Sequence, residues 1–236
     1  MKTTILTLAL AAASFAAVAQ SKPGSATPAA ASAAPTDTYS AMMAATIGDI
    51  MKTGDPTELK ALAAKMERAA TVAPADWLPR YYQAYSLLIS VFNSKEDGDA
   101  KDKTLDQVDT ALGQVRKLHC DESELLTLQA YAYQARLGIS PMARSMKYSP
   151  MVNETVAQAK GLNPANPRAY LVGANNVYFT PKMFGGGAEA AKPMFDEAKA
   201  KFAAFKPANG LAPSWGERQL QGRLKQYEAS TAQAGK

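Results

Sequence analysis

His119 and Cys120 are the residues that could do chemistry most directly, because the 236-residue chain holds one histidine and one cysteine and they are adjacent. A cysteine–histidine pair becomes an activated nucleophile when the two side chains meet and a third group orients the base. Neighbouring residues on a helix point about 100° apart, so this pair is not placed to share a proton. A single cysteine forms no internal disulfide, and a single histidine leaves a zinc site short of ligands. Three consecutive amides at Gly185-Gly186-Gly187, after Phe184, could bind an anion at a helix start. They lack the preceding strand and the Gly-Lys-Ser/Thr of phosphate loops, so a tight inter-helix turn is the simpler reading. The acidic run Glu96-Asp97-Gly98-Asp99 with Asp102 lacks the calcium-loop register and its glutamate at position twelve, and reads as a solvated loop. No carboxylate pair stands out for acid–base work. The sequence therefore predicts no enzyme, no metal and no cofactor.

The elements that carry these residues are predicted to be helices. Hydrophobic content is 47%, and no alternating Val/Ile/Thr run marks a strand. A helix is expected from Pro167 to about Phe179, stopped by Thr180-Pro181. A second follows the three glycines, with Ala191, Phe195 and Ala198 on one face at i, i+4 and i+7. The same spacing recurs at Val152/Val156/Ala159, Val108/Leu112/Val115 and Leu62/Met66/Ala69. Five residues after the three upstream sets come Pro164, Cys120 and Pro74, and ten residues further come Ala174, Ala130 and Ala84. The units are offset by 46, 44 and 39 residues, which is the signature of a repeat architecture. Cys120 thus falls where its sister units carry proline, and reads as a packing residue.

Further helices are expected at Tyr39–Lys52, from Asp55-Pro56-Thr57-Glu58 with Asp55 as cap, at Trp77–Phe92, from the loop Ser94–Asp99 to about Leu118, at Asp121–Leu137 and at Met151–Gly161. Residues 139–150 read as an irregular insertion with at most one helical turn. Ser214-x-x-Glu217 has capping-box spacing and opens a last helix, expected to cap the final repeat.

Ala191-x3-Phe195-x2-Ala198 and the turn Asn163-Pro164-Ala165-Asn166 resemble the tetratricopeptide repeat of exported bacterial proteins, and the likeness covers roughly residues 39–206. That family's unit is about 34 residues, so these loops carry about five to twelve extra, and its Trp and Leu-Gly positions are mostly replaced. HEAT-like repeats obey the same packing physics. The resemblance implies an all-α, right-handed α-solenoid of about four helix hairpins plus a C-terminal capping helix. It also implies a concave groove lined by the first helix of each pair: Tyr81, Thr127 and Leu171, then Tyr85, Tyr131 and Asn175, with Gln134 and Tyr178 one turn on. Tyrosines there would give flat, amphipathic contact area for a peptide, or would pack between repeats. The family's carboxylate clamp pairs an asparagine with a lysine; Asn175 matches, but Leu171 stands in the lysine's place.

Met1–Ala19 has the three parts of a cleavable signal peptide: Lys2, an apolar run from Ile5 to Val18 and Ala17-Val18-Ala19 as the cut site. Residues 20–38 are rich in Ala, Pro, Ser and Thr and read as a flexible linker. The globular domain is expected over 39–230, with 231–236 as a frayed tail. Net charge is +5, or +4 once Lys2 leaves with the signal, split as −3 over residues 20–140 and +7 over 141–236. This fits a basic face for an anionic partner, and equally solvated lysines on helix backs such as Lys192, Lys199 and Lys201. Export disfavours nucleic acid, and no membrane span remains once the signal is removed. The expectation is a periplasmic or secreted, non-catalytic scaffold that binds a protein or peptide in the groove. Two alternatives are an accessory subunit or enzyme acting on envelope polymers, and a small-ligand or glycan binder using the groove aromatics.

Overall fold

In the computed structural model, the backbone is described for residues 37–234 and side chains through residue 229. The signal-peptide and most of the linker expectations lie outside the described residues. Within them the chain is all-α, a solenoid-like stack of helical hairpins: α1 (Asp37–Lys52), α2 (Pro56–Val72), α3 (Leu78–Asn93), α4 (Gly98–Val115), α5 (Glu122–Ile139), α6 (Pro141–Leu162), α7 (Pro167–Phe179), a single 3-10 turn (Lys182–Phe184), α8 (Ala188–Ala204) and α9 (Glu217–Ala234). No helix among the described residues is long and apolar enough to cross a membrane.

Local sequence sets most helix starts. Asp55, Asp97, Asp121 and Asn166 each accept a backbone N–H of their own helix, at 2.8, 2.8, 3.1 and 3.1 Å, satisfying a donor the helix cannot pair internally. The apolar stripes at helical spacing then turn inward. Val108, Leu112, Val115, Val152, Val156, Ala159, Ala191, Phe195 and Ala198 are all buried, each large one contributing about 1.5–3 kcal/mol of transfer free energy. In α2 the stripe is carried by Leu59, Ala63, Met66 and Ala69, with Leu62 half-exposed beside it. Ala84, Ala130 and Ala174 are fully buried, as small residues must be where helices approach closely.

Two local expectations are corrected. Residues 141–150 are the first turns of the 22-residue helix α6, not an irregular insertion. Pro141 occupies the first turn, where its missing N–H costs nothing. Pro150 and Met146 are exposed, so water can reach the carbonyl that Pro150 leaves unpaired. Arg144 of this segment donates to Asp102 of α4 at 2.6 and 2.9 Å and to the Arg136 carbonyl at 3.2 Å. The second correction concerns α9, which begins at Glu217 and not Ser214. Gly216 takes the cap position with φ of +107°, and its carbonyl accepts from Leu220 at 2.9 Å. Glu217 is therefore the first helical residue and cannot close a capping box with Ser214.

The segment between α8 and α9 folds back as a strap across the inner face made by α1, α3, α5 and α7. Tyr82 Oη donates to the Leu211 carbonyl at 3.0 Å, Trp215 is buried, and Arg218, just past the strap in the first turn of α9, donates to the Met51 carbonyl at 2.6 Å. A Cβ on Gly216 would lie 2.8 Å from Phe202 Cζ and 3.1 Å from Leu171 Cδ2. Only glycine permits both this close approach and this backbone angle. From there α9 returns beside α8, with Tyr227 Oη donating to the Ala188 carbonyl at 2.7 Å.

Candidate ligand-binding site

Of the residues that the sequence placed in the groove, Tyr81, Tyr85, Thr127 and Leu171 are buried, while Tyr131, Gln134, Asn175 and Tyr178 keep part of their surface. The strap covers several of them. Trp215 stacks between Tyr85 (ring centroids 5.0 Å apart) and Tyr131 (5.5 Å), and its indole N–H donates to Tyr81 Oη at 2.8 Å. Gln134 Nε2 donates to the Val172 carbonyl at 2.6 Å, tying α5 to α7. Thr127 Oγ1 donates to the Ser123 carbonyl at 2.7 Å within α5.

Below the strap lies a network with no counterpart in the sequence expectations. Tyr81 Oη donates to Glu124 Oε2 at 2.9 Å, and Arg168 Nε donates to both Glu124 oxygens at 2.9 Å, with Nη2 closing the fork. The pair is almost dry, at 1% and 4% side-chain exposure for Arg168 and Glu124. Burial pushes the Glu124 carboxyl up, opposed by the Arg168 charge; Arg168 stays charged because Glu124 faces it. Its guanidinium also lies over the Phe205 ring at 4.5 Å. Nothing marked Glu124 as buried in the sequence, because its partners come from α3 and α7, 43 and 44 residues away.

At the ends of α3 and α7 the apolar surface stays open. The stack Tyr85–Trp215–Tyr131 continues outward to Phe92, whose ring is 4.7 Å from Tyr131 and 42% exposed. Arg223 of α9 sits beside this ladder. Tyr131 has its phenol pushed up to about 12 by burial, with the Arg223 charge working against the shift. The Arg223 guanidinium lies 4.1 Å from the Tyr178 ring and 5.2 Å from Phe179. Phe179, Met183 and Phe184 are 69%, 83% and 72% exposed, and Met142 and Met146 project from the start of α6. Successive helices alternate in direction, so the ends of α3 and α7 and the starts of α4 and α6 share one rim of the stack. Exposed aromatics concentrated at one rim and flanked by a cation are the mark of a binding surface.

The other candidates resolve into structure. Gly185, Gly186 and Gly187 donate their amides to the carbonyls of Lys182 (3.0 Å), Pro181 (3.3 Å) and Val177 (2.9 Å), so none is left for an anion. A Cβ on Gly186 would meet Thr180 O at 2.3 Å; the triplet makes a turn. Asp97 caps α4, Glu96 pairs with Lys60 at 2.7 Å, and Asp102 pairs with Arg136 and Arg144. Among the described residues no group of three or more His, Cys, Asp or Glu could hold a metal. Cys120 packs half-buried against the core and burial raises its thiol pKa, while His119 is exposed in the α4–α5 turn.

No family profile and no curated protein sequence matches the chain. A search of solved structures finds the HusA haemophore from Porphyromonas gingivalis, with a TM-score of 0.73 and 33% sequence identity. The match covers 82% of this chain and 94% of that one. With that identity sustained over nearly the whole of the solved protein, the chain belongs to the same family as the HusA haemophore.

Proposed function

We propose that this protein is an exported, non-catalytic binder of haem and related tetrapyrroles, and that its ligand rests on the aromatic rim at Phe92, Tyr131, Tyr178 and Phe179. The observation that carries the reading is the family relationship to a haemophore, 33% identical over 94% of its length. The rim suits the cargo: a tetrapyrrole is a flat, apolar ring with carboxylate arms, and offset ring–ring contacts contribute about 0.5–1.5 kcal/mol each beyond area burial. The hairpins are read as tetratricopeptide-type units whose inner face has been closed by the chain's own strap. A peptide in the central groove loses support for that reason, since Trp215 already fills it.

Iron ligation is not what the rim is built around. His119 and Cys120 lie beyond the last residue of α4, while Phe92 lies just before its first. The 18 residues of α4 separate those ends by about 27 Å. What the rim offers iron is thioethers and phenols; what it offers the macrocycle is ring surface. The test is an absorbance titration with haemin and with iron-free protoporphyrin IX. Both are expected to saturate, within about tenfold of each other, since an iron–ligand bond is not the main source of affinity. Phe92→Ala and Phe179→Ala are expected to weaken both. The absence of saturable binding of either porphyrin by the wild-type protein overturns the reading.

A further inference from the structure

Among the arginines of the stack, Arg68 and Arg116 are exposed and Arg218 donates to the Met51 carbonyl. Arg80, Arg136, Arg144 and Arg168 each meet a carboxylate within 3.4 Å. Arg223 meets rings. Its guanidinium is half-buried against Tyr178 and Phe179 at 4.1 and 5.2 Å, and Nη1 donates to Gln226 Oε1 at 2.7 Å. Among the described residues no acidic side chain lies within ion-pair distance of it. Aromatic faces and a neutral amide orient a guanidinium without neutralising it. The planar fork is thus held at the edge of an exposed aromatic surface, its charge left for something that arrives.

Resting on the tetrapyrrole reading, we propose that Arg223 recognises a carboxylate arm of the ligand, so that the rim selects porphyrins with free acid side chains over their esters. The macrocycle lies on the Phe92 and Phe179 side while the arm turns toward α9. An arginine–carboxylate pair formed at a partly dry, ring-lined edge gains two parallel hydrogen bonds. An ester arm presents no anion and one hydrogen-bond geometry fewer. Lys182, on the 3-10 turn that follows α7, is well exposed and already faces Glu189 at 3.4 Å.

The experiment measures affinities for protoporphyrin IX and its dimethyl ester, in the same mild detergent, for wild-type, Arg223→Gln, Arg223→Lys and Lys182→Gln proteins. A hydrogen-bonded charge pair of this kind corresponds to roughly tenfold or more in affinity. Wild-type protein is expected to bind the free acid at least about tenfold tighter than the ester, with a preference that shrinks as salt rises. Arg223→Gln should bind both at the ester's affinity. Arg223→Lys should keep part of the preference, and so also tests the idea if the glutamine variant folds poorly. Lys182→Gln should keep the wild-type ratio. Equal wild-type affinities for acid and ester, or a preference that survives in Arg223→Gln or vanishes in Lys182→Gln, overturns the assignment and leaves tetrapyrrole binding standing. Failure of wild-type protein to bind either compound sinks both.

Discussion

Arg168 and Glu124 show how one residue pair couples distant parts of the chain. Both are withdrawn from water, so each needs the other: removing one partner of a buried pair leaves an uncompensated charge at a cost of about 3–5 kcal/mol, whereas replacing both with apolar groups is often neutral. Arg168→Met is therefore expected to lower unfolding free energy by about 3–5 kcal/mol, and Glu124→Leu with Arg168→Met to recover most of it. Urea denaturation of the two singles and the double measures the coupling. A loss in the double equal to the sum of the two singles would show that the pair is not a coupled unit. At the same scale, Gly186→Ala places a methyl 2.3 Å from the Thr180 carbonyl oxygen. The turn must open to admit it, and a loss of about 1–3 kcal/mol is expected in thermal unfolding.

At the scale of elements, the start of α6 depends on charge. Arg144 donates hydrogen bonds to Asp102, and with the further charge of Arg136 they hold the Asp102 carboxyl below its ordinary 3.8. A carboxyl lowered in the folded state contributes stability above its unfolded pKa and loses that contribution as pH falls through the folded one. Acidification below about pH 4 should therefore loosen residues 141–150 first, seen as lower amide protection factors there, corrected for the intrinsic rate at each pH, while α3 stays protected. Asp102→Asn should show the lower protection already at neutral pH and little further change with acid. Protection in 141–150 that ignores both pH and Asp102→Asn would remove the charge account of this helix start. The sequence hid the element because Ser140-Pro141 and Ser149-Pro150 both read as breaks; the ion pair that overrides them joins residues 42 positions apart.

For the whole molecule, the strap changes how the stack holds together. A solenoid without it has contacts between neighbouring hairpins alone, so its ends open independently. Here Trp215 touches α3 and α5, and Arg218 reaches the end of α1, so opening any of them disturbs the same segment. Trp215→Ala should cost about 3–5 kcal/mol and separate the opening of α1–α3 from that of α7–α8 in native-state hydrogen exchange. Retained stability and one shared opening in that variant would mean that the strap is not the fastener. Tetrapyrrole at a hundred times its dissociation constant should raise stability by about 2.7 kcal/mol through mass action, read as an upward shift in Tm.

The helices, their periodicity and most of their caps were decided by residues within one or two turns of each other, which is why the Asp55 cap, the Pro167–Phe179 helix and the buried stripe at Ala191, Phe195 and Ala198 could be read directly. The all-α hairpin stack follows from them, because each apolar stripe has nowhere to go but against the next. The fate of the groove tyrosines was decided elsewhere. Whether Tyr85 and Tyr131 face a visitor or their own Trp215 depends on a segment that joins the chain 84 or more residues later, and no local spacing records where that segment lands. Separation in sequence, 43 and 44 residues for the partners of Glu124, likewise concealed Glu124 and Arg168, and the rim at Arg223 is formed by residues from different helices. Periodicity tells a helix which side to hide, while only the assembled stack determines which hidden sides meet and which rings are left at the edge.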